Sequence, residues 1–142
     1  MKTNMLSPGR RSELMSLIRS RGNRSTELKL ATAMRSHGVH GWLRHLALPG
    51  RPDFTFRAEK VSIFVHGCFW HGCPKCYRQP RVNAKFWREK VGRNKDRDKS
   101  SARKLRAMGY SVLTVWECSL RNSRIESVIA RIERTLSGRR CI

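Results

Sequence analysis

Three cysteines fall within the segment CFWHGCPKC, at Cys68, Cys73 and Cys76, and a fourth, Cys118, follows much later. The CPKC turn can present two thiolates to one ion, as structural zinc requires, and Cys68 and Cys118 would complete a tetrahedral Cys₄ shell. Ordinary buried thiols are the plainer alternative, but three clustered cysteines around a CPxC turn favour zinc. The total of five cysteines is odd and does not suit a secreted disulfide framework. Cys141, beyond the last helical pattern, is left as a spare.

Carboxylates are scarce, which makes each one informative. Lys and Arg number 31 against 10 Asp and Glu, a net charge of +21. The aspartates are Asp53, Asp96 and Asp98 alone. Asp53 stands at a strand start in GRPDFTF, where Pro52 should hold the preceding backbone extended and help aim the carboxylate. Two readings stay open there: an oxygen ligand for Mg²⁺, or a cap on the turn after Gly50. Asp98 interrupts the basic run KVGRNKDRDKS together with Asn94 and Asp96. It could orient a histidine or hold a metal-bound water, whereas Asp96 could make surface ion pairs of little worth. Glu13, Glu126 and Glu133 read as solvated helix residues.

His66 closes the run VSIFVH, and His71 lies inside the cysteine loop. If four cysteines fill the zinc shell, His71 is free to accept a proton from an attacking water near neutral pH. The competing reading puts His71 in the shell in place of one cysteine. His37, His40 and His45 read as surface or loop positions without special roles. Phe69 and Trp70 sit on the loop that zinc would stiffen, and Phe86 and Trp87 sit in a basic stretch. Aromatics on rigid, electropositive surfaces can wedge between bases; core packing is the alternative, better suited to Phe86 and Trp116 than to the loop pair. A zinc deaminase is excluded, since His66 and His71 are each followed by Gly and no H-x-E precedes the CPxC turn.

These residues need a scaffold to bring them together. The length of 142 residues fits one domain, read as 1–142, and hydrophobic residues at 39% suffice for a modest core. No apolar run is long enough to span a bilayer and the first residues do not read as a signal peptide, so the charge points to a cytosolic protein with a polyanionic partner. Helical spacing marks residues 8–21, stopped by Gly22, and a second helix from Ser25 or Thr26 to about His37, with Leu28, Ala31 and Met34 on one side and Gly38 ending it. Three strand patterns follow, LRHLAL, DFTFR and VSIFVH, the last two joined as an antiparallel hairpin by the short link Ala58–Lys60. A polar, basic helix is predicted over 83–108, ended by Gly109. YSVLTVWE reads as a central strand, and Ser123 with Glu126 forms a capping box for a last helix with a stripe of Ile125, Val128, Ile129, Ile132 and Leu136. The order ααβββαβα describes an α/β protein, a mixed β-sheet flanked by helices.

At this point the segments LPGRPDF, FVHGCFWHGCPKC, FWREKVGRNKDRD and GYSVLTVWEC resemble the very short patch repair (Vsr) DNA mismatch endonucleases, in order and spacing, over roughly residues 10 to 120. The resemblance implies a restriction-endonuclease-like fold with a structural zinc site, and nicking of one strand of duplex DNA on the 5′ side of the T in a T·G mismatch left by deamination of 5-methylcytosine. It implies Asp53 as ligand of a catalytic Mg²⁺, with the Val65 backbone carbonyl as a second ligand and His71 as general base. His66 and Asp98 become supporting residues around the scissile phosphate, and Glu27 a helix carboxylate facing the same site. Phe69, Trp70 and Trp87 match a wedge entering the DNA, while the N-terminal segment 1–22, with Met15, approaches from the other groove and 137–142 is a short tail. The zinc loop HGCPKC departs from a His-rich version, Cys73 standing where a relative has His, which suits Cys₄ and leaves His71 free.

The resemblance further implies a monomer in the bacterial cytoplasm, associated with the nucleoid, with mismatch-repair proteins as candidate partners and no membrane contact. Two alternatives are carried with it: a nuclease of the same fold in a restriction or defence system without mismatch preference, and a non-catalytic zinc module that binds DNA.

Overall fold

The computed structural model describes residues 26–121 and 124–140. The helix expected over 8–21 with Met15, Ser123 of the capping box, and Cys141 lie outside them. The first described element is a helix over 26–36, α1, which ends as the sequence leads one to expect: Gly38 takes φ 73 and the Val39 N–H bonds the Met34 carbonyl at 2.8 Å. Its buried side is Leu30, Ala31 and Met34, whereas Leu28, expected on that side, is exposed.

The sheet follows: β1 Leu43–Arg44, β2 Phe54–Phe56, β3 Val61–His66 and β4 Ser111–Trp116, in the spatial order β1-β2-β3-β4. β1 is shorter than the LRHLAL pattern because His45 turns to φ 51, off the extended conformation a strand needs. β2 and β3 form the expected antiparallel hairpin, with Phe54 opposite Ile63 and Phe56 opposite Val61. α2, Ala84–Ala107, then carries the chain across so that β4 can lie parallel to β3. YSVLTVWE is therefore not central. Among the described residues β4 is an edge strand, because it pairs with β3 alone. A short 3₁₀ turn, Glu117–Leu120, and the helix α3, Arg124–Arg140, complete the order.

Alternation along the strands splits the sheet into two chemically different faces. Phe54, Phe56, Val61, Ile63, Val65, Leu113 and Val115 share one core with Leu30 and Met34 of α1 and Ile129, Ile132 and Leu136 of α3. The predicted α3 stripe is thus buried, and each such side chain contributes roughly 1.5–3 kcal/mol. The opposite face presents Thr55, Ser62, Phe64 and His66, and α2 packs against β4. One face holds the fold together; the other leaves polar groups for chemistry. No helix among the described residues is long and apolar enough to cross a membrane.

Candidate active site

A cleft of about 440 Å³ opens where β2 begins and β3 ends. Antiparallel pairing brings those two points together, so Asp53 meets Val65: its Oδ2 accepts the Val65 N–H at 2.6 Å. That bond, rather than a cap on the turn after Gly50, fixes the carboxylate. Pro52 does not leave its neighbour extended, since Arg51 takes φ 49. The far wall is one face of α2, where Asn94, Arg97, Asp98 and Ser101 recur at three- and four-residue intervals. Gly50 at φ 76 lets the walls close, because a Cβ there would lie 2.6 Å from Ser101.

His71 reaches the cleft from the loop after β3, and its Nδ1 lies 2.7 Å from Asp98 Oδ2. A carboxylate only accepts, so Nδ1 carries the proton and Nε2 keeps its lone pair. The His66 ring stacks on His71 with centroids 3.9 Å apart and 6° between planes. Burial, then the neighbouring His71, pushes His66 down to about 4 against the pull of Asp98, so it is neutral at pH 7. His66 Nε2 is 3.9 Å from Asp98 Oδ1, and its buried Nδ1 has no hydrogen-bond partner among the described residues.

Behind Asp53 lies Glu27 of α1, 8% exposed. Arg44 Nη2 sits 2.5 Å and His45 Nε2 3.1 Å from its Oε2. Ligand atoms of Glu27, His45 and Asp53 all fall within 4.8 Å of one another. His45 is therefore part of this cluster, not the loop residue without a role that its sequence context suggests. Burial, reinforced by a hydrogen bond that the protonated Asp53 carboxyl donates to Glu27 and opposed by the Val65 N–H, pushes Asp53 up to about 8. Two crowded carboxyls have the chemistry that hard divalent cations bind, and such a cation would relieve the cost of ionising Asp53.

The four cysteines converge elsewhere on the same loop. Cys68, Cys73, Cys76 and, from the 3₁₀ turn after β4, Cys118 place their sulfurs within 4.8 Å of one another. Cys73 Sγ and Cys118 Sγ are 3.8 Å apart, far beyond a disulfide. Tetrahedral thiolates at the usual Zn–S distance of about 2.3 Å stand about 3.8 Å from one another, so the set fits zinc. Burial raises the Cys73 thiol, but the N–H groups of Lys75 and Cys76 outweigh it and bring Cys73 down to about 7. The cysteines close without His71, which faces Asp98 instead.

The loop aromatics form a cluster with those of α2. Phe69 lies 5.2 Å from Trp70 and 5.2 Å from Trp87, and Trp70 is 5.9 Å from Trp87. Phe86, for which core packing was the alternative reading, is 51% exposed and extends the cluster 5.1 Å beyond Trp87. Lys90 Nζ stands 5.6 Å from the Trp70 ring.

Comparison with known proteins decides the family. The model of the DNA mismatch endonuclease Vsr matches residues 3–78. The DNA mismatch endonuclease Vsr of Escherichia coli strain K12 is 37% identical over 133 residues, covering 90% of this chain and 84% of that protein. The chain belongs to the Vsr family. The type II nicking enzyme V.XorIIP of Xanthomonas oryzae pv. oryzae is 36% identical over 94% of this Vsr chain and 97% of its own length. V.NmeDIP of Neisseria meningitidis serogroup C, also a type II nicking enzyme, is 36% identical over 78% of the chain.

In this Vsr chain the cleft unites Asp53, Val65, His66, His71 and Asp98, with Glu27 directly behind Asp53. Asp96 is exposed and makes no ion pair among the described residues. Sequence reasoning missed His45, Arg97, Ser101 and any role for Asn94. Stepping three and four residues along the helix from Asp98 would have found the last three.

Proposed function

We propose that this protein is a DNA endonuclease that nicks one strand of duplex DNA on the 5′ side of the T in a T·G mismatch arising from 5-methylcytosine deamination, initiating very short patch repair. The observation that carries the reading is the hydrogen bond between His71 Nδ1 and Asp98, in the same cleft as Asp53 and Val65. It leaves His71 Nε2 as a base for a water attacking a phosphodiester, and Asp98 balances the positive charge the ring gains. Neutral His66, stacked on His71, keeps a second positive charge away from that ring. Asp53 and the Val65 carbonyl would hold Mg²⁺, which when bound neutralises charge on the phosphate and leaving oxygen. Glu27, tied to Arg44 and His45, backs Asp53.

Zinc held by the four cysteines would be structural, since a Cys₄ shell has no open position. It stiffens the loop that carries His71 on one side and Phe69 and Trp70 on the other. The aromatic cluster, with Trp87 and with Met15 from the opposite groove, would unstack the duplex beside the mismatch. The +21 charge supplies salt-sensitive affinity for the DNA backbone. A monomer working at the bacterial nucleoid, alongside mismatch-repair proteins, completes the reading.

The test is a strand-labelled nicking assay with Mg²⁺ on a T·G duplex and its T·A twin. Selective cutting of the T strand at the mismatch is expected; absence of nicking on both sinks the reading. The likeness to type II nicking enzymes at up to 97% of their length favours a second reading, a strand nickase of a restriction system without mismatch preference. Equal nicking of the two duplexes would establish it.

A further inference from the structure

We propose that Arg97 binds the scissile phosphate directly and is a catalytic residue, with Asn94 as its positioning residue. This deepens the function proposed above and rests on the same cleft. Arg97 lines that cleft with Asp53, His66, His71 and Asp98, and it is exposed. It makes no ion pair among the described residues, although two carboxylates share its walls. A guanidinium beside carboxylates, yet unpaired with them, has its charge available to an incoming anion.

The guanidinium is also held in place. Arg97 Nη2 donates to Asn94 Oδ1 at 2.5 Å, and Asn94 Nδ2 donates to the Trp70 carbonyl at 2.8 Å. Asn94 is 6% exposed, and a carbonyl on one side with a cation on the other allows its amide only one orientation. One N–H of Arg97 is thereby spent and four remain, enough to grip two phosphate oxygens in the fork geometry that suits phosphate. Arg51 lines the cleft too, but no side-chain hydrogen bond holds it among the described residues. The need is electrostatic: Asp53, Glu27 and Asp98 would repel a phosphodiester, and Arg44 is already committed to Glu27. A fixed donor aimed at developing phosphate charge costs little reorganisation during reaction. Because Asn94 holds Trp70 as well as Arg97, the aromatic loop and the phosphate-binding group share one buried amide.

The experiment is calorimetric titration of the full-length, zinc-loaded protein with thymidine 3′,5′-bisphosphate in Mg²⁺ buffer. Arg97→Ala should weaken binding on the order of tenfold or more, with Arg97→Lys in between. Asn94→Ala should weaken it less, and should add nothing in the Arg97→Ala background. Arg93→Ala removes an exposed charge one turn earlier on α2 and should change little. Undetectable binding by the wild type, wild-type affinity in Arg97→Ala, or an equal loss in Arg93→Ala overturns the assignment; a loss from Asn94→Ala that persists without Arg97 overturns the positioning role. The probe carries no mismatch. Arg97-dependent binding in a protein that nicks the T·G duplex and its T·A twin equally would therefore sink the mismatch reading and leave this assignment standing.

Discussion

The cysteine cluster and the cleft share the loop after β3, which gives three cysteines to one and His71 to the other, yet their chemistry is opposite. The cysteine site gathers four soft ligands, three of them buried, and leaves no room for substrate. The cleft gathers carboxyls, imidazoles and a guanidinium around about 440 Å³ of open space. His71 and Cys73 are two residues apart and belong to different centres. The contrast teaches how a short loop can carry reactive groups accurately: if the cysteines hold the proposed zinc, one end is fastened so that the other can stay open.

That contrast predicts different failures. The largest effects should come from the cleft. Asp53→Ala and His71→Ala should fold, bind DNA and lose nicking by at least about 10²–10⁴-fold in single-turnover assays; near-normal rates would erase the distinction. Cys73→Ser should act on the fold instead. It should lose zinc by metal analysis and cost several kcal/mol in denaturant melts, with nicking failing only as a consequence. Truncating the aromatic cluster lies between the two centres: Trp70→Ala should lose roughly 1–3 kcal/mol of DNA affinity while keeping zinc.

Per pH unit, the smallest effect is a stability slope. Asp53 titrates near 3.8 unfolded and at about 8 folded without metal. Between those values the folded state holds a proton that the unfolded state has lost. Stability of the metal-free protein from this group is therefore full below about pH 4 and falls as pH rises toward 8. One proton gives at most about 1.4 kcal/mol per pH unit. Asp53→Asn should flatten that part of the stability curve measured in EDTA, and an unchanged slope would show that Asp53 is not strained by its neighbours.

Legibility followed the physics of each element. The hairpin and α3 were readable because burial on one face imposes a period of two or of about 3.6. The cysteine cluster was readable because Cys68, Cys73 and Cys76 crowd around one CPKC turn. β4 was misplaced at the centre because apolar, β-branched residues report coverage by helices, whereas sheet order depends on which side of β3 remains free. Asn94, Arg97 and Ser101 escaped because the inner stripe of α2 is polar where it walls the cleft, so hydrophobicity gives no signal there. His45 came into play through a left-handed turn that its residue type did not announce, and Phe86, for which core packing was the better-suited alternative, is exposed.

α2 has one more consequence. It begins with Phe86 and Trp87 in the aromatic cluster and reaches Asp98 eleven residues later within the same unbroken helix. At about 1.5 Å per residue those points are about 16 Å apart along a stiff rod. On the proposed function, the helix would work as a ruler between the place where base pairs are parted and the place where the strand is cut. A ruler does not stretch with sequence context, so the cleavage products should form one sharp band at a constant nucleotide offset from the lesion.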